Sequence, residues 1–260
     1  CDHGGILRHE KNLTADDYRT LERETKPILL QLSGGEPFLR KDLLDIVKAV
    51  KEESGLPYLI VVSNASLLTE EKYLECVEAG VNQFSVSLDF PDERHDKFRR
   101  HTGLFNHLNE LIPRLTAHGH DNVVMNTAIT RSNLPYLEGC YEKAREWGAN
   151  ISFSAYTAKR TGDPEHDITE PAELELLKKT IDRLVSLKHS NGHIVNSDWT
   201  RTGTYDFFKN GGAPGCKAGE RYMVFNPDGT MRPCSMYDLK YETREEMVEK
   251  FVKTNDCDAC

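Results

Sequence analysis

The chain has 260 residues, enough for one large α/β domain with or without a small appendage. Its formal net charge of −9 argues against nucleic acid as the main partner, because nucleic-acid-binding proteins usually carry a basic patch. No apolar run is long enough to span a bilayer and no secretory signal is visible, so we expect a cytoplasmic protein without a membrane span. A chain of this length does not need disulfide staples, and cysteines clustered near one end therefore indicate metal ligands.

Short apolar runs alternate with amphipathic segments through the middle of the chain. They predict strands over residues 28–32, 58–62, 84–88, 123–129 and 151–156. Helices are predicted between these strands, and Thr69 is the expected cap of one of them. Thr14 with Asp17 predicts a capping box before the first strand, and Thr169 predicts the cap of a long helix after the last. Strands that alternate with helices imply parallel pairing.

Two architectures fit this alternation. Five strand–helix units plus one strand lying before Cys1 would form a partial (β/α)6 TIM-like barrel, whereas five units alone could form a doubly wound sheet. In both folds, function belongs at the carboxyl ends of the strands. After about His193, glycines and turns replace the alternation, and Asp228-Gly229 predicts the turn of a β-hairpin. We therefore expect a barrel over residues 1–195 and a small cysteine-rich C-terminal extension over residues 196–260.

The strongest signal at a strand end is Gly34-Gly35-Glu36-Pro37. Two glycines after an apolar strand let the backbone turn sharply and approach a ligand closely. A carboxylate beside them suits a ligand that bears an ammonium group. An ordinary loop with a helix-capping acid explains the same residues equally well.

A second signal is the set of cysteines in the tail. Cys216 and Cys234 flank the predicted hairpin, and Cys257 and Cys260 form a CxxC pair. Four thiolates of this kind can hold a structural zinc or an iron–sulfur cluster, and their spacing leaves both open. The other internal cysteines fall inside predicted helices, where a buried cysteine behaves as a small hydrophobe: Cys76 and Cys140.

Together these motifs resemble the radical S-adenosylmethionine (radical SAM) superfamily. The run from Leu32 to Arg40 is similar to the surroundings of the GGEP motif of that family, as are Ser63-Asn64 and the run from Ser85 to Asp89 at the next two strand ends. The tail resembles the SPASM/twitch extension, whose opening pattern of a cysteine, a glycine and a second cysteine is matched by Cys216, Gly229 and Cys234.

The cysteine loop that defines the family, CxxxCxxC, is represented only by Cys1, in the place of its third cysteine. The chain also both begins and ends on a cysteine. We therefore expect that the sequence is a fragment or only an ordered part, and that the first strand and two further cysteines precede Cys1. If the native chain lacks those two cysteines, it is instead a degenerate homologue that serves as a binding module.

The resemblance implies the cofactors and their ligands. Cys1 and two other cysteines would hold a 4Fe–4S cluster, whose fourth iron binds the amino and carboxylate groups of S-adenosylmethionine. The residues that match the family's cofactor contacts are Gly34, Gly35, Glu36, Pro37, Ser63, Asn64, Ser87, Asp89, Arg99 and Phe153. Arg100 is an alternative to Arg99, and Asn126 or Thr127 would line the adenosine. An auxiliary iron–sulfur cluster would use Cys216, Cys234, Cys257 and Cys260.

The implied reaction is reductive cleavage of S-adenosylmethionine to a 5′-deoxyadenosyl radical that abstracts hydrogen from a substrate. The enzyme would be an iron–sulfur oxidoreductase or transferase that takes electrons from a reductant such as a flavodoxin or ferredoxin. A peptide is the first expectation for the substrate on the family's base rates, with a small molecule as the alternative. A barrel with a structural zinc in its tail and no radical chemistry is the main competing hypothesis. The three histidines after the strand at 84–88 are expected to be solvated rather than metal ligands: His95, His101 and His107.

Overall fold

In a computed structural model of the chain, residues 12–52 and 55–259 are described. The predicted cluster ligands Cys1 and Cys260 lie outside these residues. No helix in the described ranges is both long enough and apolar enough to cross a membrane.

One parallel sheet forms the centre of the fold. Within the described residues, the strands of this sheet are β1 (Leu29–Leu32), β2 (Tyr58–Ser63), β3 (Gln83–Ser87), β4 (Val123–Ile129) and β5 (Asn150–Ala155). The helices are α1 (Ala15–Thr25), α2 (Leu43–Lys51), α3 (Glu70–Glu78), α4 (Arg94–Arg99), α5 (Leu104–Thr116), α6 (Leu137–Glu146), α7 (Ala158–Thr161), α8 (Pro171–Asn191), α9 (Asp198–Asn210) and α10 (Arg244–Lys250). The hairpin strands of the tail are β6 (Val224–Phe225) and β7 (Met231–Arg232).

The strand order of the sheet decides between the two predicted architectures. The strands follow one another as β1-β2-β3-β4-β5, and each adjacent pair is parallel. A doubly wound sheet would reverse its direction of growth at a switch point. The sequential order instead gives an open, partial (β/α) barrel, so the predicted fold class is confirmed. The predicted hairpin also forms, since β6 and β7 pair antiparallel.

Local sequence signals predicted the N-terminal caps of two helices correctly and that of a third wrongly. Thr14 and Asp17 form the predicted capping box of α1, and the Thr69 side chain accepts a hydrogen bond from the first turn of α3. The predicted cap at Thr169 is wrong, because Glu170 caps α8. Proline is favoured in the first turn of a helix, and Pro171 fixes the start of α8 one residue later than expected.

Helices α4 and α9 have no counterpart among the predicted elements. Six residues are too few to show a helical repeat in α4, and the aromatic and polar residues of α9 lack a regular apolar spacing. Helix α9 packs against α8 and β5, and its Phe208 belongs to the main core. A second, smaller cluster in the tail contains Cys234 and Met247.

Residues that alternate along the strands point to opposite faces of the sheet, one in the core and one open. One face of each strand packs under the helices, and Leu59, Val61, Phe84, Val86 and Met125 are buried there. The opposite face of the same strands carries the more exposed positions. Because side chains alternate along a strand, the covered face supplies the stability and the other face is left for a ligand.

The segment before α1 is held by both the barrel and the tail. Arg40 donates two hydrogen bonds to the Asp42 carboxylate, and its Nη2 also donates to the Leu13 carbonyl at 2.7 Å. The Leu13 N–H donates to the Pro227 carbonyl in the hairpin turn at 2.9 Å. Leu13 is buried and its side chain approaches Gly229. Leu13 therefore links Arg40, which follows the Gly34-Gly35 loop in the chain, to the hairpin turn of the tail.

We expect Arg40→Met to lower the free energy of unfolding by about 1–3 kcal/mol, because it leaves the Leu13 carbonyl and Asp42 without a charged donor. The Leu13 amide should also exchange its hydrogen faster. Denaturant unfolding and hydrogen exchange measure the two effects, with the exposed Arg23→Met as the matched control in α1. An unchanged exchange rate at Leu13 would contradict this account of the link.

Candidate functional site

The Gly34-Gly35 loop leaves the carboxyl end of β1 and faces open space. Gly34 adopts a φ of +152°, and a Cβ built on either glycine would meet no atom of residues 12–52 or 55–259 within 4 Å. Pro37 follows as the buried first residue of a short 3-10 turn. The loop therefore has the room for a close approach of its backbone to a ligand.

Glu36 connects the ends of the first two strands. Its side chain is 9% exposed, and Oε1 accepts hydrogen bonds from the Ser63 hydroxyl at 2.7 Å and from the Phe38 N–H at 3.2 Å. Oε2 accepts from the Asn64 N–H at 2.9 Å. A carboxylate offers about four acceptor sites, so these three donors, the ones found among residues 12–52 and 55–259, leave one for a further donor. Glu36 also caps the 3-10 turn, as the alternative explanation of this motif predicted.

The turn after β2 is fixed by further hydrogen bonds. The Ser63 hydroxyl accepts from the Ala65 N–H at 2.8 Å, and Ala65 adopts a left-handed φ of +61°. His107 Nε2 lies 3.0 Å from the Ala65 carbonyl and donates to it, which makes His107 a support of this turn rather than a solvated side chain. Ser63 and Asn64 are thus held rigidly beside Glu36.

A row of polar side chains crosses the open face of the sheet. The register pairs Ser87 with Asn126 and Asn126 with Ser152, and the Asn126 amide donates to the Ser152 hydroxyl at 3.2 Å. Ser63 pairs with Val86, so the next residue of each segment follows in the same register and Asn64 lies beside Ser87. Half-buried hydroxyls and an amide in one row suit the hydroxyl groups of a sugar or a polar ligand.

Two of the predicted lining residues face the other side of the sheet. Thr127 is fully buried and its hydroxyl donates to the Leu88 carbonyl. The Phe153 side chain lines a cavity beside Ile181 and Leu184 of α8, while Asn196 hydrogen-bonds both the N–H and the carbonyl of Phe153. Ser152, which the sequence did not single out, takes the position on the open face. Alternation along β5 separates these neighbours.

Asp89 and Arg99 form a pair just beyond the end of β3. The Asp89 carboxylate is fully buried, and its Oδ2 accepts a hydrogen bond from Arg99 Nε. The Arg99 side chain is 25% exposed. His95, from the same helix as Arg99, is fully buried with Nδ1 3.7 Å from Asp89 Oδ2. The expectation that His95 is solvated is therefore wrong, because the short α4 turns it inward.

Burial lowers the pKa of His95 to about 4 from 6.5, with Asp89 and Asp96 opposing the change and Arg99 adding to it. Unfolding returns the pKa to its ordinary value, so the unfolded chain binds more protons between these values. The contribution of neutral His95 to the free energy of unfolding is therefore fully present above pH 6.5. About 3 kcal/mol of this contribution is lost as the pH drops from 6.5 to about 4.

Urea unfolding between pH 7.5 and 4.5 should show this loss, and His95→Gln should remove most of the dependence. His101→Gln, at an exposed position just after the same helix, should leave it unchanged. Equal pH dependence in the His95 variant and the parent would show that other groups control the transition.

Two of the tail cysteines accept hydrogen bonds from backbone N–H groups. Cys216 Sγ accepts from the Ala218 N–H, and Cys234 Sγ accepts from the Met236 N–H, each at 3.4 Å. Such bonds stabilise a sulfur that carries negative charge. Over residues 12–52 and 55–259, however, no three His, Cys, Asp or Glu side chains converge as a metal site. The fourth predicted ligand lies beyond those residues.

Cys257 lies in a different setting. Lys159 Nζ is 3.6 Å from its Sγ and 2.8 Å from the Tyr237 hydroxyl. Partial burial raises the pKa of the Cys257 thiol, but hydrogen bonds from Tyr237 and the Ala259 N–H, together with Lys159, outweigh it and lower the pKa. The two cysteines that were expected to be structural are buried in helices, and burial raises the pKa of both thiols: Cys76 and Cys140.

The fold defines an α/β protein with a parallel partial barrel, and polar side chains lie at the carboxyl ends of its strands. The family profile of the Radical SAM superfamily matches residues 1–142, which is more than half of the chain. The chain belongs to this superfamily.

Curated relatives share part of this sequence. An AdoMet-dependent heme synthase from Methanosarcina barkeri is 34% identical over 152 residues, covering 58% of this chain and 42% of that protein. A probable GTP 3',8-cyclase from Methanothermobacter marburgensis is 26% identical over 199 residues, covering 72% of this chain and 64% of that protein. The chain therefore spans less than two thirds of the length of these relatives.

Solved structures share the fold. SuiB from Streptococcus suis, bound to the precursor peptide SuiA, superposes with a TM-score of 0.68 at 15% identity, covering 94% of this chain and 59% of that one. Native anSMEcpe, with bound AdoMet and the Cp18Cys peptide, gives a TM-score of 0.62 at 19% identity, covering 92% of this chain and 70% of that one. These identities support the common architecture alone.

Proposed function

We propose that this chain is the catalytic barrel, with part of the tail, of an enzyme that cleaves S-adenosylmethionine reductively and starts radical chemistry. The observation that carries the proposal is the loop of Gly34, Gly35 and Glu36, which is open toward a ligand yet fastened to Ser63 and Asn64. It lies at the strand ends of a fold whose solved relatives include proteins with bound AdoMet. Membership of the superfamily makes S-adenosylmethionine the first ligand to test.

The residues of this chain have separate tasks in the proposal. The Gly34-Gly35 backbone holds the amino end of the ligand, and the free acceptor site of Glu36 contributes to it. Ser87, Asn126 and Ser152 hydrogen-bond the ribose and orient it. With a 4Fe–4S cluster that includes Cys1, the bound cofactor would supply hydrogen-atom abstraction, and the barrel would exclude water from it.

Equilibrium dialysis with radiolabelled S-adenosylmethionine tests the binding step. We expect one site per chain, and competition by S-adenosylhomocysteine. Saturable binding that survives obstruction of the loop by Gly34→Val with Gly35→Val would contradict the proposed location. Absence of binding to the anaerobically reconstituted protein would leave a degenerate binding module as the better account.

We further propose that the tail, residues 196–260, is a SPASM/twitch-type extension that holds an auxiliary iron–sulfur cluster. The support is the pair of N–H···S hydrogen bonds on Cys216 and Cys234 and the lowered pKa of Cys257. We expect Cys216→Ser with Cys234→Ser to lower the iron content by about four atoms per chain. Cys76→Ser serves as the control. Zinc in place of iron, lost in the same variant, would favour the structural-zinc alternative.

The relatives of this chain point to two classes of substrate. We propose a peptide, because structural relatives of this fold have been solved with bound peptides. The curated relatives named heme synthase and GTP 3',8-cyclase favour a small molecule instead. Electrons would come from a flavodoxin or ferredoxin, and the reaction class, oxidoreductase or transferase, depends on the product.

A further inference from the structure

We propose that Lys159 of the barrel is a positioning residue for the tail, whose ammonium group lies against the Cys257 sulfur and raises the reduction potential of the iron–sulfur cluster proposed there. The inference rests on the proposed function, in which Cys257 is one of the four ligands of an auxiliary cluster. It goes beyond that function because it gives a residue outside the set of cysteines a defined effect on the chemistry of the tail.

The backbone of Lys159 is fixed at the carboxyl end of the sheet. Lys159 belongs to the short helix α7, which follows β5 closely in the chain. The Thr157 side chain caps this helix and accepts a hydrogen bond from the Lys159 N–H at 3.2 Å. Beyond the helix, the Asp163 carbonyl accepts a hydrogen bond from the Tyr156 hydroxyl at 2.8 Å. The segment is therefore held on both sides of Lys159.

The Lys159 side chain reaches from the barrel into the tail. Its Nζ donates to the Tyr237 hydroxyl at 2.8 Å and lies 4.4 Å from the centroid of the same ring. Nζ also lies 3.6 Å from Cys257 Sγ, and an ammonium group has enough hydrogens to donate to both partners. The Tyr237 ring packs against Phe251, which belongs to the small core of the tail. The tail therefore holds the ammonium group in place.

The chain also brings Cys257 beside the segment that carries Cys216. The Asn255 side chain accepts a hydrogen bond from the Cys257 N–H and donates one to the Cys216 carbonyl, each at 3.2 Å. The two segments approach so closely that a Cβ on Gly212 would lie 2.1 Å from the Asp258 carbonyl oxygen. Two of the predicted ligands therefore come from neighbouring segments, as a shared cluster requires.

The position of the Lys159 ammonium group determines the sign of its effect. Reduction adds one negative charge, which an iron–sulfur centre shares with its sulfur ligands. A cation 3.6 Å from one ligand sulfur stabilises the reduced state more than the oxidised state. A tyrosine hydroxyl is neutral near pH 7, so the contact with Tyr237 holds the ammonium group without cancelling its charge. Lys159 therefore raises the reduction potential.

A redox titration followed by electron paramagnetic resonance tests the inference on the anaerobically reconstituted full chain. Every protein carries Cys1→Ala, so that the signal comes from the tail alone, and its iron content is determined first. The variants are Lys159→Met, which removes the charge, and Lys159→Arg, which keeps it. Lys179→Met is the matched control, because Lys179 is an exposed lysine of the barrel that pairs with Glu175 on α8.

We expect Lys159→Met to lower the midpoint potential. At a fixed potential the ratio of reduced to oxidised cluster should fall roughly tenfold, which corresponds to about 59 mV for one electron. Lys159→Arg and Lys179→Met should keep this ratio within about twofold of the parent. If Lys159→Met loses its iron, Lys159→Gln replaces it and should show the same fall.

An unchanged potential in Lys159→Met would overturn the inference, and so would an equal fall in Lys159→Arg. Loss of iron from both neutral variants would also overturn it, since Lys159 would then support the site rather than tune it. All three results leave the proposed auxiliary cluster standing, because the parent holds its iron. A parent without iron in its tail overturns the proposed cluster and the inference with it.

Discussion

Glu36→Gln is expected to weaken S-adenosylmethionine binding by roughly 100-fold, about 2.7 kcal/mol. The amide nitrogen must replace one carboxylate oxygen and then faces a donor, either the Asn64 N–H or the Ser63 hydroxyl with the Phe38 N–H. A donor that meets a donor in a buried site costs about 1–3 kcal/mol. The Gly34-Gly35 loop would lose its fastening to β2 and its negative charge.

Denaturant unfolding and calorimetric titration measure the two parts of this effect. Glu24→Gln, at an exposed position of α1, is the matched control and should change neither. Binding that stays within about threefold of the parent, despite reduced stability, would show that Glu36 is a structural cap only.

Gly35→Val should abolish ligand binding with little change in the free energy of unfolding. A Cβ on Gly35 meets no atom within 4 Å in the part of the chain that the structure describes, so this part has room for the side chain. The same space is where the proposed ligand approaches the backbone, and two methyl groups there exclude it. We expect a loss of at least roughly 100-fold in affinity.

The control for this variant is Gly55→Val. A Cβ on Gly55 would also meet no atom of the described residues within 4 Å, but Gly55 lies at the opposite end of the strands, before β2. Its variant should bind normally. Normal binding by Gly35→Val as well would mean that the open space beside the loop is not the ligand site.

Most of the barrel was predictable because its signals are local. Apolar runs indicated all five strands within one or two residues, and Thr14 and Thr69 marked the helix starts. Helix α4 was missed, since six charged and aromatic residues show no period. That omission mattered, because α4 carries His95 and Arg99 to the end of β3.

The sequence predicted where the candidate site lies, but it did not predict which way each side chain of the site points. The motif at Gly34 to Pro37 indicated the strand end correctly, whereas the direction of each side chain depends on register. Ser152 and Phe153 are adjacent in β5, yet Ser152 lies on the open face of the sheet and Phe153 lies beneath α8. The burial of Asp89 depends on contacts with residues up to 44 positions away, such as Asn133, which no local pattern reports.

Reductive cleavage of S-adenosylmethionine is the reaction that we propose for this chain. The most direct measurement is the yield of 5′-deoxyadenosine when the full-length protein, reconstituted anaerobically with iron and sulfide, is reduced by dithionite in the presence of S-adenosylmethionine. The account predicts 5′-deoxyadenosine from the parent and none above background from Gly35→Val. A reconstituted protein that carries its cluster and binds S-adenosylmethionine, yet forms no 5′-deoxyadenosine, would contradict it.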